Sequence, residues 1–134
     1  MLLKYLGVYG WREPDENLLL ASLLTGDPLL LIGKHGCAKT HAAAKVAQAL
    51  GKRFFAYDAS KAMFEDVLGY PNVDKLKHGV VEYVASPVTI WDKEMILIDE
   101  INRAEPSMQS KWLESIRSRK IMGFPRRSSG SGRP

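Results

Sequence analysis

Leu29-Leu30-Leu31-Ile32-Gly33-Lys34-His35-Gly36-Cys37-Ala38-Lys39-Thr40-His41 decides how this chain of 134 residues is read. Four apolar residues run into a turn bearing Gly33 and Gly36. Lys39-Thr40 follow, and then a helix rich in alanine. This order of strand, loop and helix predicts a cradle for nucleotide phosphates. Glycines let the backbone curl so that successive N–H groups face phosphate oxygens, and the head of the following helix adds its positive dipole end. In such a cradle Lys39 reaches the β- and γ-phosphates and the Thr40 hydroxyl ligates Mg²⁺. The stretch departs from G-x-x-x-x-G-K-[ST] at one position, where Ala38 stands in place of the last glycine. A strand-to-helix turn with an incidental lysine is the plainer alternative.

A second segment argues against that alternative. Met95-Ile96-Leu97-Ile98 is an unbroken apolar run that ends in Asp99-Glu100. A run without alternation predicts a strand buried on both faces, as in a parallel sheet covered by helices. Carboxylates at the C-terminal end of such a strand stand where open α/β sheets bind ligands. Asp99 is expected to support Mg²⁺ and Glu100 to polarise the water that attacks the γ-phosphate. A solvated acidic turn is the competing reading. It has to explain two half-motifs in the right order, each on the right kind of element.

Three of the four net positive charges are Arg126, Arg127 and Arg133, so the body before them is nearly neutral. That balance argues against a dedicated nucleic-acid site, which needs a concentrated basic face. The hydrophobic fraction of 46% and charged fraction of 25% suit one globular domain with a core. No apolar run approaches membrane-spanning length. Cys37, the single cysteine, cannot close an internal disulfide, which fits a reducing, cytoplasmic setting. The composition of residues 126–134 predicts a flexible Ser/Gly/Arg tail.

Helical spacing predicts a helix opening at Pro14-Asp15-Glu16 and stopped by Thr25-Gly26-Asp27-Pro28. A first core strand is expected at 29–32, an alanine-rich helix at 39–50 and a second strand at 53–57. A short helix is expected within 60–68, and Val80–Val84 reads as one arm of a hairpin. The third core strand covers 95–98. A last helix begins at Pro106, with Met108, Trp112, Leu113 and Ile116 on one apolar face. Strands alternating with helices predict an α/β three-layer sandwich with a mostly parallel sheet.

Leu97-Ile98-Asp99-Glu100-Ile101-Asn102-Arg103-Ala104, followed by Pro106, Gln109, Ser110, Leu113 and Glu114, resembles the MoxR branch of the AAA+ ATPases. The loop with Ala38 and the stretch from Leu68-Gly69-Tyr70-Pro71 to Val84 are similar to parts of that branch. The resemblance covers most of residues 7–125. It implies a P-loop NTPase core that binds ATP and Mg²⁺, in a hexameric, chaperone-like machine that remodels or activates a protein client. By position, Gly33 to His41 form the Walker A phosphate loop and Thr40 and Asp99 the metal site. Glu100 is the catalytic residue, and Val8-Tyr9-Gly10 correspond to the segment near adenine. No role follows for Asn102 or Arg103.

The resemblance fades near Lys120–Pro125, where a hairpin is expected. No sensor strand, arginine finger or helical lid follows, so residues 1–125 read as a partial AAA+ core with little ATPase activity by itself. Uncovered apolar surface is expected around Trp112 and Ile116. A nucleotide-binding interaction module that does not hydrolyse ATP is the alternative. A GTPase switch is disfavoured, because no Asn-Lys-x-Asp segment is present.

Overall fold

A computed structural model describes residues 1–34, 38–118, 120–121 and 124–125. The chain forms two compact units, Met1–Phe54 and Phe55 onward.

In the first unit a short helix α1 (Leu2–Tyr5) precedes α2 (Glu13–Thr25) and α3 (Lys39–Ala49). α2 begins as its sequence predicts, with Pro14 in the first turn beside Glu13, Asp15 and Glu16, acids that suit the positive end of the helix dipole. It ends at Gly26, whose φ of 74° takes the left-handed cap conformation that lacks a penalty only for glycine. α3 buries Ala42, Ala43, Val46 and Ala47, two i,i+4 pairs of small side chains. Leu3, Val8, Leu19, Ala42 and Val46 form the core of this unit.

The expected core strand at 29–32 is absent. These residues carry no strand ladder, and Leu30 and Ile32 are 74% and 88% exposed. A parallel strand takes its backbone partners from distant segments, and among the described residues no strand pairs with 29–32.

In the second unit β1 (Phe54–Asp58) pairs with a strand far along the chain. Between them lie α4 (Phe64–Leu68), β2 (Tyr70–Pro71), α5 (Val73–Lys77) and β3 (Tyr83–Val84). The partner is β4 (Met95–Asp99). The Ala59 N–H donates to the Asp99 carbonyl at 2.8 Å, so the two C-terminal strand ends lie together. β2 and β3 form the expected hairpin, antiparallel with Tyr70 opposite Val84 and Pro71 opposite Tyr83. Gly69 sets its entry: φ is 81°, and a Cβ there would collide with the Val84 carbonyl. A 3₁₀ turn (Ile101–Arg103) leads into α6 (Pro106–Ser118), and a hairpin of β5 (Lys120–Ile121) and β6 (Phe124–Pro125) follows.

Tyr57, Val67, Leu68, Ile90, Met108 and Trp112 anchor the core of this unit. Trp112 is 1% exposed with its ring 5.2 Å from Tyr57, so the surface expected to be open around it is covered. Leu113, expected on the same face, is 56% exposed, while Ser115 is buried. Trp112 and Ser115 are three apart on the helix and share the buried face, from which Leu113 is turned away. β4 also departs from expectation, since Met95 to Ile98 are half-buried. Among the described residues β1 is its one ladder partner.

Candidate functional site

α3 opens with Ala38 as its N-cap, and no side chain among the described residues caps it. The first N–H groups of such a helix have no intrahelical acceptor, and the dipole favours an anion there. Ala38 holds φ 54° and ψ 30°, the left-handed region. The loop therefore keeps at this position the backbone that the missing glycine would adopt, at a cost of about 1–2 kcal/mol for a residue with a Cβ. The Lys39 ammonium turns back to donate to the Gly33 carbonyl at 2.7 Å.

A cleft of about 510 Å³ lies in the same unit, with Lys39 and Gly33 among its lining residues. Tyr9, Gly10, Trp11, Leu18 and Leu29 to Ile32 supply an aromatic and apolar lining, and Arg12 and Asp15 add a polar pair. Arg12 grips Asp15 with both ends of its fork, at 2.8 Å from Nε and 3.1 Å from Nη2. That hydrogen bond, aided by the opposite charge, raises the Arg12 pKa above its ordinary value.

Of the residues expected at the phosphate end, Gly33, Lys34, Ala38, Lys39, Thr40 and His41 are described, whereas His35, Gly36 and Cys37 lie outside the described residues, as does the expected tail at 126–134. Thr40 and His41 are exposed on the first turn of α3. Val8 is 2% exposed in the core, and its neighbours Tyr9 and Gly10 line the cleft instead.

The acidic half belongs to the second unit. Asp99 ends β4, and its Oδ1 accepts the Glu100 N–H at 2.9 Å. Glu100 has φ 55°. Its Oε2 lies 3.2 Å from Nε of Arg103, which assigns Arg103 the partner that the sequence left open. Gln109 reaches back from α6 to donate to the Ile101 carbonyl at 3.1 Å, fastening the turn from below. At the end of β1, Asp58 is held below the usual carboxylate range. The Ser60 hydroxyl is the main cause, partly opposed by burial, and Lys61 and Arg103 add weaker attraction.

The chemistry of these donors fits a magnesium nucleotide. In the first unit Lys39 and the head of α3 can hold phosphate charge, and Thr40 is a hard oxygen donor of the type Mg²⁺ takes; in the second unit Asp99 is another such donor. Among the described residues there is no cluster of three or more His, Cys, Asp or Glu side chains that could hold a metal alone. None of the described helices is long and apolar enough to cross a membrane.

Sequence reasoning missed Arg12, Asp15 and Glu16. The i,i+3 spacing of Arg12 and Asp15 was a legible signal for their pair. A carboxylate heading an otherwise apolar helix was a fainter one for Glu16.

No curated protein and no solved structure matches the chain. The family model for the AAA domain (dynein-related subfamily) does match, over residues 28–129, which include both the stretch from Gly33 to His41 and the acidic turn. The α/β architecture with a mostly parallel sheet flanked by helices is that of a P-loop NTPase core. By this match over most of its length, the chain belongs to the AAA domain family, dynein-related subfamily.

Proposed function

We propose that this chain is the nucleotide-binding core of a MoxR-like AAA+ ATPase, taking Mg·ATP and, in a complete ring, hydrolysing it to remodel a protein client. The observation that carries the reading is the cleft of the first unit, aromatic and apolar along its walls with Lys39 at the head of α3. Tyr9 and Trp11 offer ring surface to a base. Lys39, released from Gly33, offers an ammonium to the phosphates, and the first N–H groups of α3 add fixed dipoles. Of the residues that would hold Mg²⁺, Thr40 belongs to the first unit and Asp99 to the second; the ion would supply charge neutralisation to the phosphates. Glu100 accepts the proton of the attacking water.

Calorimetric titration with Mg·ATP tests the reading. Lys39→Ala should weaken binding by about 1.5–3 kcal/mol, the scale of a charge-assisted contact. Equal affinities would remove Lys39 from the site.

A second reading, a module that binds ATP without hydrolysing it, draws on the ion pair of Glu100 with Arg103. With Oε2 engaged by the Arg103 guanidinium, the carboxylate has one oxygen fewer to offer an attacking water. Turnover by the assembled protein separates the two readings.

A further inference from the structure

Glu16 is a carboxylate buried to 5% exposure, in the helix turn that also carries Asp15 and Leu18. Both of its oxygens are used. Oε1 accepts the Leu2 N–H at 2.6 Å and Oε2 accepts the Leu3 N–H at 3.2 Å. The bonds continue along the backbone, because the Leu3 carbonyl takes the Val8 N–H at 2.9 Å. Val8 is the residue before Tyr9, where the wall of the cleft begins. Asp15 and Leu18, which also line the cleft, stand on either side of Glu16 in sequence. One buried carboxylate thus ties α1, and through it the backbone that leads to Tyr9, to the helix that carries Asp15 and Leu18, across 13 and 14 residues of chain.

We infer that Glu16 is a positioning residue for the nucleotide base: it pins α1 so that the segment Tyr9–Trp11 is set before the base arrives. The inference rests on the proposed reading of the cleft and deepens it. Glu16 lies outside residues 28–129, so it belongs to the part of the chain that the family match does not cover. A wall held in place beforehand loses less conformational freedom on binding than one that must order around its ligand, and affinity rises accordingly. Glu16 does not line the cleft, so its effect reaches the ligand only through the wall.

The role predicts a selective defect. Glu16→Gln places an amide NH₂ against one of the two N–H donors, breaking one bond while keeping the volume. Titrations of the full chain with Mg·ATP and with inorganic triphosphate, which has no base, measure the consequence. ATP affinity should fall by about tenfold, the factor that 1.4 kcal/mol represents, while triphosphate affinity stays unchanged. Leu2→Pro supplies an independent variant. It removes the N–H donor at the first helical position, where proline is tolerated, and should reproduce the same selective loss. Amide exchange at Leu3 and Val8 should quicken in both variants.

Unchanged ATP affinity in both variants would overturn the inference. So would parallel losses for ATP and triphosphate, which mark Glu16 as a support of the fold alone. A wild-type chain that binds ATP no better than triphosphate would instead overturn the reading of the cleft as the place of the base. That outcome is seen before any variant is made.

Discussion

The head of α3 and the acidic turn each carry a residue in left-handed backbone, yet these residues are supported in different ways. Ala38 and Glu100, at φ 54° and 55°, are the non-glycine residues with positive φ among those described. Glu100 sits in a web. Asp99 Oδ1 takes its N–H, Arg103 meets its carboxylate, a 3₁₀ turn follows, and Gln109 holds that turn from α6. Ala38 has support on its helix side, where its carbonyl takes the Ala42 N–H at 2.8 Å. Upstream, Leu29 to Ile32 run without a ladder and largely exposed. Strained conformations persist where their surroundings over-determine them. The acidic turn meets that condition by side-chain hydrogen bonds and an ion pair, and Ala38 meets it through its helix and the apolar cluster it packs against.

The strongest way to break this comparison is chemical. Glu100→Gln keeps size and hydrogen bonding but cannot accept a proton. In the assembled protein it should lower ATP turnover by about 10²–10⁴ while ATP still binds. Steady-state hydrolysis measured beside nucleotide titration checks this. Wild-type turnover in the variant would leave the web around Glu100 as architecture without chemistry.

A packing variant sharpens the comparison next. Trp112 is buried against Tyr57 beneath the strands that present Asp99. Trp112→Ala should cost about 3–5 kcal/mol through lost burial and the cavity left behind. Denaturant unfolding gives the magnitude, and amide exchange gives the location. Exchange should quicken across β1, β4 and α6 before it does in α3. Uniform quickening would show that the two halves stand or fall together.

The smallest effect concerns Ala38 itself. Ala38→Gly removes the left-handed penalty of about 1–2 kcal/mol, less about 0.5–1 kcal/mol of extra unfolded-state entropy for glycine. The net should be a gain in stability between zero and about 1.5 kcal/mol, read from a denaturant midpoint at constant slope. A loss would mean that the Ala38 methyl packs usefully against the core cluster it borders, in which it is half-buried.

Local elements were largely legible in the chain. α2 with its proline start and glycine stop, α3, β1, β4 and α6 all lie close to their expected spans. Each is marked by periodicity or by a terminal residue whose backbone preference acts within a few positions. α1 and α5 were not expected. Each is a single short turn with too few residues to display a period. The G-x-x-x-x-A-K-T spacing and the paired acids after β4 were legible as candidate chemistry because such motifs lie within one loop.

What the linear order could not carry is who meets whom. The apolar composition of Leu29–Ile32 marked the segment as a strand candidate, but whether it enters a ladder depends on partners supplied by distant chain. Trp112 and Leu113 are neighbours with similar hydropathy, and only the packing of α6 decided that one is buried and the other exposed. Arg103 on Glu100 and Glu16 on Leu2 and Leu3 are likewise choices of tertiary structure. A side chain's hydrogen-bonding capacity is written in its type, but its partner is set by which backbone the fold brings within about 3 Å.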